Sequence, residues 1–459
     1  MNRTLLIFIS LTLYCITLQK TAEEWRGRSI YQLMTDRFAR RSDNDTSECV
    51  LSKYCGGTYV GIQNHLDYIQ DMGFNAIWIS PIVENVEGSY HGYGFTNLYT
   101  LNENFGSEAE FKAFVDECHR RGIWIMLDVV ANHCANTNED FSKITPFNKP
   151  EHYHERCQIT DWNNQWMIEN CRLCDLPDLK QEDEWVKHTL LDWIHDLVIK
   201  YDIDGLRVDT VIEVPKWFWD DFRVAANVFQ MGEVFNGNPV FVAGYLEHLD
   251  SLFNYPLYFH MKDGFCGNLN KIEEYIHNIR PHYPDPSIMG VFAENHDNAR
   301  FLYDCPDKKK FKNMIAFQLT WEGIPVHYYG GEQYYDGGAD PLNRVPLWGH
   351  YDKTTDMYQM IKKINEYRTA SQFYNEDCVQ RWSEEKFYAF TRGKKALVCL
   401  SITDSVQRTI VYHGFEQGDR LCNLLDETDC VTVTAEGINI TMQDEPKIYV
   451  KQEPEYLIE

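Results

Sequence analysis

The stretch Trp124-Ile125-Met126-Leu127-Asp128-Val129-Val130-Ala131-Asn132-His133 begins with a short apolar run and ends in polar residues. Such a run predicts a buried strand, here over residues 124–130. A helical pattern precedes it from Ser107 to Arg121, with Ser107 and Glu110 at capping-box spacing and Gly122 at the end. One helix followed by one buried strand is the repeating unit of a parallel α/β architecture.

The same alternation of short apolar runs and amphipathic helices continues over the first three quarters of the chain. About eight such units can be counted, which predicts an α/β fold with eight parallel strands closed into a (β/α)8 barrel. The predicted strands cover residues 29–34, 76–80, 124–130, 205–208, 228–231, 252–253, 289–293 and 324–328.

Two segments depart from this alternation. Residues 132–179 are rich in Cys, Asn and Trp and show no clear periodicity, which predicts a domain inserted at the barrel rim after the third strand. Beyond residue 371, short alternating strands replace the helices and predict an antiparallel β-sandwich over residues 372–459. The barrel itself is then made of residues 21–131 and 180–371.

Composition restricts the class of ligand. The formal net charge of −26 argues against nucleic acid or an anionic membrane as a partner, because either would need a basic surface. A neutral polymer is compatible with this charge. The 28 Tyr, 25 Phe and 12 Trp residues offer flat rings of the kind that pack against sugars, although most of them are expected in the core.

The N-terminus predicts export. Residues 1–20 resemble a signal peptide, because Arg3 precedes an apolar run from Leu5 to Leu18 that is too short for a lasting membrane span. We therefore expect a secreted protein, or one in the lumen of a digestive vesicle, which is monomeric and has no membrane partner. Asn44 and Asn439 begin glycosylation sequons.

The 14 cysteines suit an oxidising compartment. The pairs that are close in sequence, namely Cys49/Cys55, Cys157/Cys171 and Cys422/Cys430, are the natural disulfides. Cys174 lies near the second pair and could compete with Cys171. Thirteen cysteines follow the signal peptide, so at least one thiol stays free or pairs between chains.

Three carboxylates follow predicted strands. Asp209 comes after strand four, Glu233 after strand five and Asp297 after strand seven. In a barrel of this kind the active site lies at the carboxyl ends of the strands, so these three side chains should converge. Converging carboxylates raise the pKa of one member and keep it protonated. An acid beside a carboxylate is what cleavage of a glycosidic bond needs.

At these strand ends the sequence resembles the α-amylase family of glycoside hydrolases, and most closely the fungal-type secreted members. The resemblance extends over nearly the whole mature chain. It rests on four motifs in the family's order: Asp128-Val129-Val130-Ala131-Asn132-His133, Gly205-Leu206-Arg207-Val208-Asp209, Gly232-Glu233-Val234 and Glu294-Asn295-His296-Asp297-Asn298.

The resemblance implies a role for each matching residue. Asp209 would be the nucleophile, Glu233 the general acid/base and Asp297 the stabiliser of the transition state, while Arg207 would hold Asp209 ionised. The substrate-binding residues implied by the family are Tyr93, His133, Arg207, His296, Asp340 and Arg344. The family also implies a structural calcium ion, held by Asn132, Asp178 and the backbone carbonyls of Glu169 and Glu213.

The expected activity is endo-hydrolysis of α-1,4-glucosidic bonds in a starch- or glycogen-type glucan, with retention of configuration. Alternatives are an α-glucosidase or transglycosylase of the same family, or an inactive glucan-binding protein. Three departures concern substrate binding: Ile212 and Glu213 replace the Lys-His of fungal members, and Gly94 replaces a Trp after the stacking tyrosine. Subsite number and product length therefore stay open.

Overall fold

A computed structural model describes residues 20–451, so the signal peptide predicted over residues 1–20 lies outside the described residues, except for Lys20. The eight parallel strands are Ile30–Leu33 (β1), Ala76–Ile79 (β2), Trp124–Val129 (β3), Gly205–Val208 (β4), Phe229–Gly232 (β5), Ser251–Leu252 (β6), Gly290–Phe292 (β7) and Ile324–Tyr328 (β8). They run in the sheet order β6-β5-β4-β3-β2-β1-β8-β7, and a bridge between Phe253 and Gly290 closes the ring. The predicted (β/α)8 barrel is confirmed.

Helices surround the barrel, and the helix before β3 begins as predicted, since Ser107 and Glu110 form a reciprocal capping box. The α-helices are Ala22–Arg26, Thr35–Phe38, Tyr59–Asn64, Leu66–Asp71, Glu108–Arg120, Gln165–Asn170, Glu184–Tyr201, Lys216–Ala226, Pro239–Ala243, Tyr255–Cys266, Asn270–Asn278, Phe301–Asp304, Lys308–Thr320 and Asp356–Ser371. Short 3-10 helices cover Phe141–Lys143, Pro150–His152, Leu173–Asp175, Val211–Glu213, Arg280–His282, Pro286–Ile288, Gly331–Gln333, Leu342–Arg344 and Phe373–Asn375.

The register of the barrel brings the acidic residues to neighbouring strand ends. Val208 in β4 pairs with Val129 in β3 and with Gly232 in β5. The ladder continues one residue beyond the strands, because the amide of Asp209 donates to the Val129 carbonyl at 3.0 Å and that of Glu233 donates to the Val208 carbonyl at 2.8 Å. The two carboxylates therefore leave adjacent strands at the same level.

The segment after β3 has little regular structure, as its sequence predicts. Isolated bridges join His133 to Asp178 and Tyr153 to Leu179, so both ends of the segment meet at the barrel rim. A hairpin of the strands Val83–Asn85 and Phe95–Leu101 lies beside it, with Asn97 bridged to Thr145.

The C-terminal part is an antiparallel β structure, as predicted. Its strands are Cys378–Glu384 (β9), Phe387–Arg392 (β10), Ala396–Ser401 (β11), Val406–Ile410 (β12), Arg420–Asn423 (β13), Asp426–Thr432 (β14), Ile438–Met442 (β15) and Lys447–Lys451 (β16). Six form one sheet, and β12 pairs with β15 in a second. Sequence patterning overlooked β9 and β13, because β9 is half-buried along its length and β13 has only four residues.

The predicted disulfides Cys49–Cys55, Cys157–Cys171 and Cys422–Cys430 are confirmed. Cys174 is exposed and free, so it does not displace Cys171.

No helix within residues 20–451 combines the length and apolar character needed to cross a membrane.

Gly232 offers a test of how tightly the strand that carries Glu233 is packed. A Cβ at this position would lie 2.5 Å from Leu249 Cδ1 and 3.0 Å from Val211 Cγ2. Gly232→Ala should therefore lower the free energy of unfolding by about 1–3 kcal/mol, measured by urea denaturation. The control Gly237→Ala, whose Cβ would meet only Phe259 at 3.5 Å, should change it by less than about 0.5 kcal/mol. Equal effects of the two variants would contradict this account.

Candidate active site

The site is organised around one buried guanidinium, that of Arg207 on β4. Its NH1 lies 2.9 Å from Asp128 Oδ1 and 2.5 Å from Asp209 Oδ1, while its NH2 lies 2.8 Å from Glu233 Oε2. Arg207 is 1% exposed, so these charge-assisted bonds form away from water. Three carboxyl groups on three neighbouring strands thus share a single cation.

Glu233 is in an environment that favours its protonated form. Burial raises the pKa of this carboxyl to about 8, against the opposing effect of Arg207 and with the help of the negative charges of Asp297 and Asp209. Glu233 lines the same cleft as Asp209, which lies beside the same cation. A protonated carboxyl and a paired carboxylate at one site are the two groups that acid-assisted nucleophilic attack needs.

Asp297 lies across the cleft on the loop after β7. His296 Nε2 is 3.3 Å from its Oδ2, and Arg344 NH2 is 3.5 Å from its Oδ1. Arg344 also reaches Asp340 at 3.1 Å through NH1. The structure therefore joins four residues predicted from sequence, namely Asp297, His296, Arg344 and Asp340, into one polar wall.

The tautomer of His296 follows from its neighbours. Gln32 Nε2 can only donate, and it lies 2.8 Å from His296 Nδ1, so Nδ1 accepts and Nε2 carries the hydrogen. Burial, together with the positive charges of Arg207 and Arg344, lowers the pKa of His296 well below its usual value. The neutral ring therefore donates from Nε2 to the Tyr93 hydroxyl at 2.7 Å, and Asp297 lies beside the same nitrogen at 3.3 Å.

Tyr93 lines the cleft and contacts both Asp128 and His296. Its hydroxyl donates to Asp128 Oδ2 at 2.7 Å and lies 2.7 Å from His296 Nε2, while its ring stacks on the His296 ring at 5.3 Å. His133 Nε2 is 3.1 Å from the Tyr93 carbonyl, which places this predicted donor beside Tyr93. Asp128 links Tyr93 to Arg207, a role that sequence reasoning missed.

The cleft has a volume of about 600 Å³. One side carries the polar wall described above. The cleft is also lined by apolar groups that include Ile212, Trp162 and Phe235. Trp162 is 53% exposed and Phe235 is 51% exposed, so their rings are available to a ligand. Sequence reasoning did not single out these two rings, although Phe235 stands only two residues after Glu233.

The structure shows where the three residues that differ from fungal members lie, namely Ile212, Glu213 and Gly94. Ile212 and Glu213 both line the cleft that holds Glu233. Burial, followed by the negative charges of Glu233 and Asp209, raises the pKa of Glu213 well above its usual value. Gly94 donates its amide hydrogen to Asn85 Oδ1 at 2.8 Å, and its α-carbon faces Ser89 rather than the cleft.

Three of the four predicted calcium ligands converge at the junction of the barrel and the inserted segment. The side-chain oxygen of Asn132 faces only acceptors, at 2.9 Å from Asp178 Oδ1 and 3.1 Å from the Glu213 carbonyl oxygen. Oxygens this close repel one another unless a hydrogen or a cation lies between them. If the Asn132 amide were turned by 180°, its nitrogen would supply a hydrogen between these atoms. A bound hard cation would instead need the Asn132 oxygen in its present position.

The surroundings of these oxygens fit a cation. His154 Nδ1 occupies the other oxygen of Asp178 at 2.6 Å, which leaves Oδ1 directed at Asn132. Glu169, the fourth predicted ligand, lies on the helix Gln165–Asn170, and Gln165 Nε2 of that helix donates to the Ile212 carbonyl at 3.1 Å. Within residues 20–451 there is no cluster of three His, Cys, Asp or Glu side chains suited to a metal. The predicted calcium ligands differ from such a cluster, because they include only one carboxylate, that of Asp178, and the others are an amide oxygen and backbone carbonyl oxygens.

Comparisons with known proteins agree with this geometry. The family described as "Alpha amylase, catalytic domain" matches residues 32–426. An α-amylase from Saccharomycopsis fibuligera is 37% identical over 94% of this chain and 93% of its own length. Alpha-amylase 1 of Lipomyces kononenkoae is 40% identical over 79% of this chain, and the match spans 62% of that relative.

A solved structure of an α-amylase from Malbranchea cinnamomea superimposes with a TM-score of 0.90 at 35% identity, and the match covers 94% of this chain and 97% of that one. The family match extends over most of the sequence and includes all three acidic residues at the strand ends. The chain therefore belongs to the α-amylase family of glycoside hydrolases.

Proposed function

We propose that this protein is an α-amylase that cleaves internal α-1,4-glucosidic bonds of starch- or glycogen-type glucans and retains the anomeric configuration. The observation that carries the proposal is the shared cation: Asp209 and Glu233 each bond to a terminal nitrogen of the Arg207 guanidinium. Carboxyls that share one guanidinium are close neighbours, and a retaining mechanism requires the shorter carboxyl separation, about 5–5.5 Å against roughly 6.5–9.5 Å in inverting enzymes.

In the first step, the Asp209 carboxylate attacks the anomeric carbon while Glu233 gives its proton to the departing glycosidic oxygen. The C–O bond to the leaving sugar breaks, and a bond between the sugar and Asp209 forms. Asp297 stabilises the positive charge that develops on the sugar ring, and Arg344, 3.5 Å away, keeps the Asp297 carboxylate oriented.

In the second step, Glu233 is ionised and takes a proton from water, which attacks the same carbon and releases Asp209. Two inversions restore the α configuration. Arg207 stabilises the negative charge that moves between the two carboxyls, so it serves both steps without changing its own protonation state.

The exposed rings of Trp162 and Phe235 favour an endo-acting enzyme over an α-glucosidase. Both line the cleft that holds Asp209 and Glu233, so a glucan chain that extends beyond the cleaved bond can stack on them. Ile212 and Glu213 offer no cation there, so stacking on these rings would replace the Lys-His contacts of fungal members.

Calcium is part of the proposal. Asn132, Asp178 and the carbonyls of Glu169 and Glu213 would hold the ion, which supplies charge that ties the inserted segment to the barrel beside the cleft. The opposed oxygens of Asn132, Asp178 and Glu213 support this assignment.

Secretion and glycosylation at Asn44 and Asn439 also belong to the proposal. The three disulfides support an oxidising compartment. Both asparagines are exposed, as glycan acceptors must be.

Product analysis tests the activity. The purified protein should release mixed α-configured maltooligosaccharides from soluble starch with rapid loss of iodine staining. Asp209→Asn and Glu233→Gln should each lower the rate at least about 10³-fold, because each removes a group used in both steps. Asp192→Asn, an exposed acid on the helix Glu184–Tyr201, is the matched control and should keep full activity. Release of glucose alone would favour the α-glucosidase, and no release would favour a binding protein.

Thermal unfolding tests the calcium site. Calcium at 100 times its dissociation constant should stabilise the protein by about 2.7 kcal/mol, and chelation should remove this gain. Asp178→Asn should abolish most of the calcium-dependent shift in Tm. Asp161→Asn, an exposed acid of the same inserted segment, should leave the shift unchanged. If neither calcium nor a chelator changes the Tm, the proposed calcium site is excluded.

A further inference from the structure

The two oxygens of Glu233 have different neighbours. Oε2 lies 2.8 Å from the Arg207 guanidinium, as an ion pair, and accepts from the amide of Thr210 at 3.4 Å. Both are donors, so this oxygen has no room for a hydrogen of its own. Oε1 receives one bond, from the Tyr255 hydroxyl at 3.2 Å. The proton of the acid must therefore reside on Oε1, beside Tyr255.

The direction of the Tyr255 hydroxyl is fixed by Asn295. The side-chain oxygen of Asn295 accepts from the amides of Asp297 and Asn298, each at 3.0 Å, and from Asn298 Nδ2 at 2.8 Å. Its Nδ2 must then be the group that lies 2.9 Å from the Tyr255 oxygen and donates to it. Since the Tyr255 oxygen accepts there, its own hydrogen points to Glu233.

We propose that Tyr255 is a positioning residue for the general acid: its hydroxyl, oriented by Asn295, bonds to Glu233 Oε1 and directs the acid proton towards the glycosidic oxygen. The inference rests on the proposed function. The hydrogen bond strengthens as Glu233 becomes a carboxylate in the first step, so it stabilises the transition state more than the ground state.

The surroundings of Tyr255 suit this role. It is 1% exposed at the start of the helix Tyr255–Cys266, and its ring packs edge-on against Phe235 at 4.6 Å and against Phe292 at 5.0 Å. Burial, with the negative charges of Glu233 and Asp297, raises the pKa of its hydroxyl well above the usual value, so it stays a donor. The ring contacts would survive in Tyr255→Phe.

Two substrates that differ in their need for an acid separate this role from simple packing. Maltopentaose needs its leaving oxygen protonated, whereas α-maltosyl fluoride releases fluoride with little assistance. For Tyr255→Phe, kcat/KM on maltopentaose should fall about 10- to 100-fold, and kcat/KM on α-maltosyl fluoride should fall less than about 3-fold. Tyr258→Phe, which removes a buried hydroxyl from the same helix, should change neither value by more than about 2-fold.

Asn295→Asp is the second variant. It keeps an oxygen for the amides of Asp297 and Asn298 but offers Tyr255 an acceptor, so the hydroxyl should turn away from Glu233 and give the same selective loss. An equal loss on both substrates, or no loss on maltopentaose, would overturn the inference. A wild-type protein that cleaves neither substrate would overturn the proposed function, and the inference with it.

Discussion

The arrangement of the whole site depends on the ion pairs around Arg207. One buried cation faces the carboxyls of Asp128, Asp209 and Glu233, so the three cannot all be ionised without uncompensated buried charge. Protonation of Glu233 removes part of this excess negative charge, because burial and the charges of Asp297 and Asp209 raise its pKa to about 8. Burial also raises the pKa of Asp128, to about 7. The difference between the proposed nucleophile and the proposed acid thus follows from charge and burial together.

The barrel makes this arrangement possible by register. Asp128 on β3 and Arg207 on β4 are direct partners in the parallel ladder, and the ladder then runs one residue further to carry Asp209 and Glu233. Segments outside the strands complete the cleft. The inserted segment adds Trp162, and the loop after β7 adds Asp297. A site built on rigid strand ends keeps its charged groups aligned before substrate arrives.

Much of this could be predicted from the sequence, because the information is local. Apolar runs that end in acids gave the strands, and the motifs around Asp209, Glu233 and Asp297 gave the candidate site. Contacts between residues distant in sequence could not be predicted this way. Asp128 gains its role only through its partner Arg207, and Tyr255 reaches Glu233 only because the helix Tyr255–Cys266 begins just after β6, which pairs with β5. In the C-terminal sheet, β9 was overlooked since its half-buried residues show no clear alternation.

Asp209, paired with Arg207, is the proposed nucleophile of a retaining enzyme. The most direct measurement is to incubate the protein with 5-fluoro-α-maltosyl fluoride, which slows release of the glycosyl group, and to locate the attached sugar by peptide mass spectrometry. We expect one maltosyl adduct, on the peptide that contains Asp209. An adduct on another carboxyl, or turnover with inversion and no adduct, would contradict it.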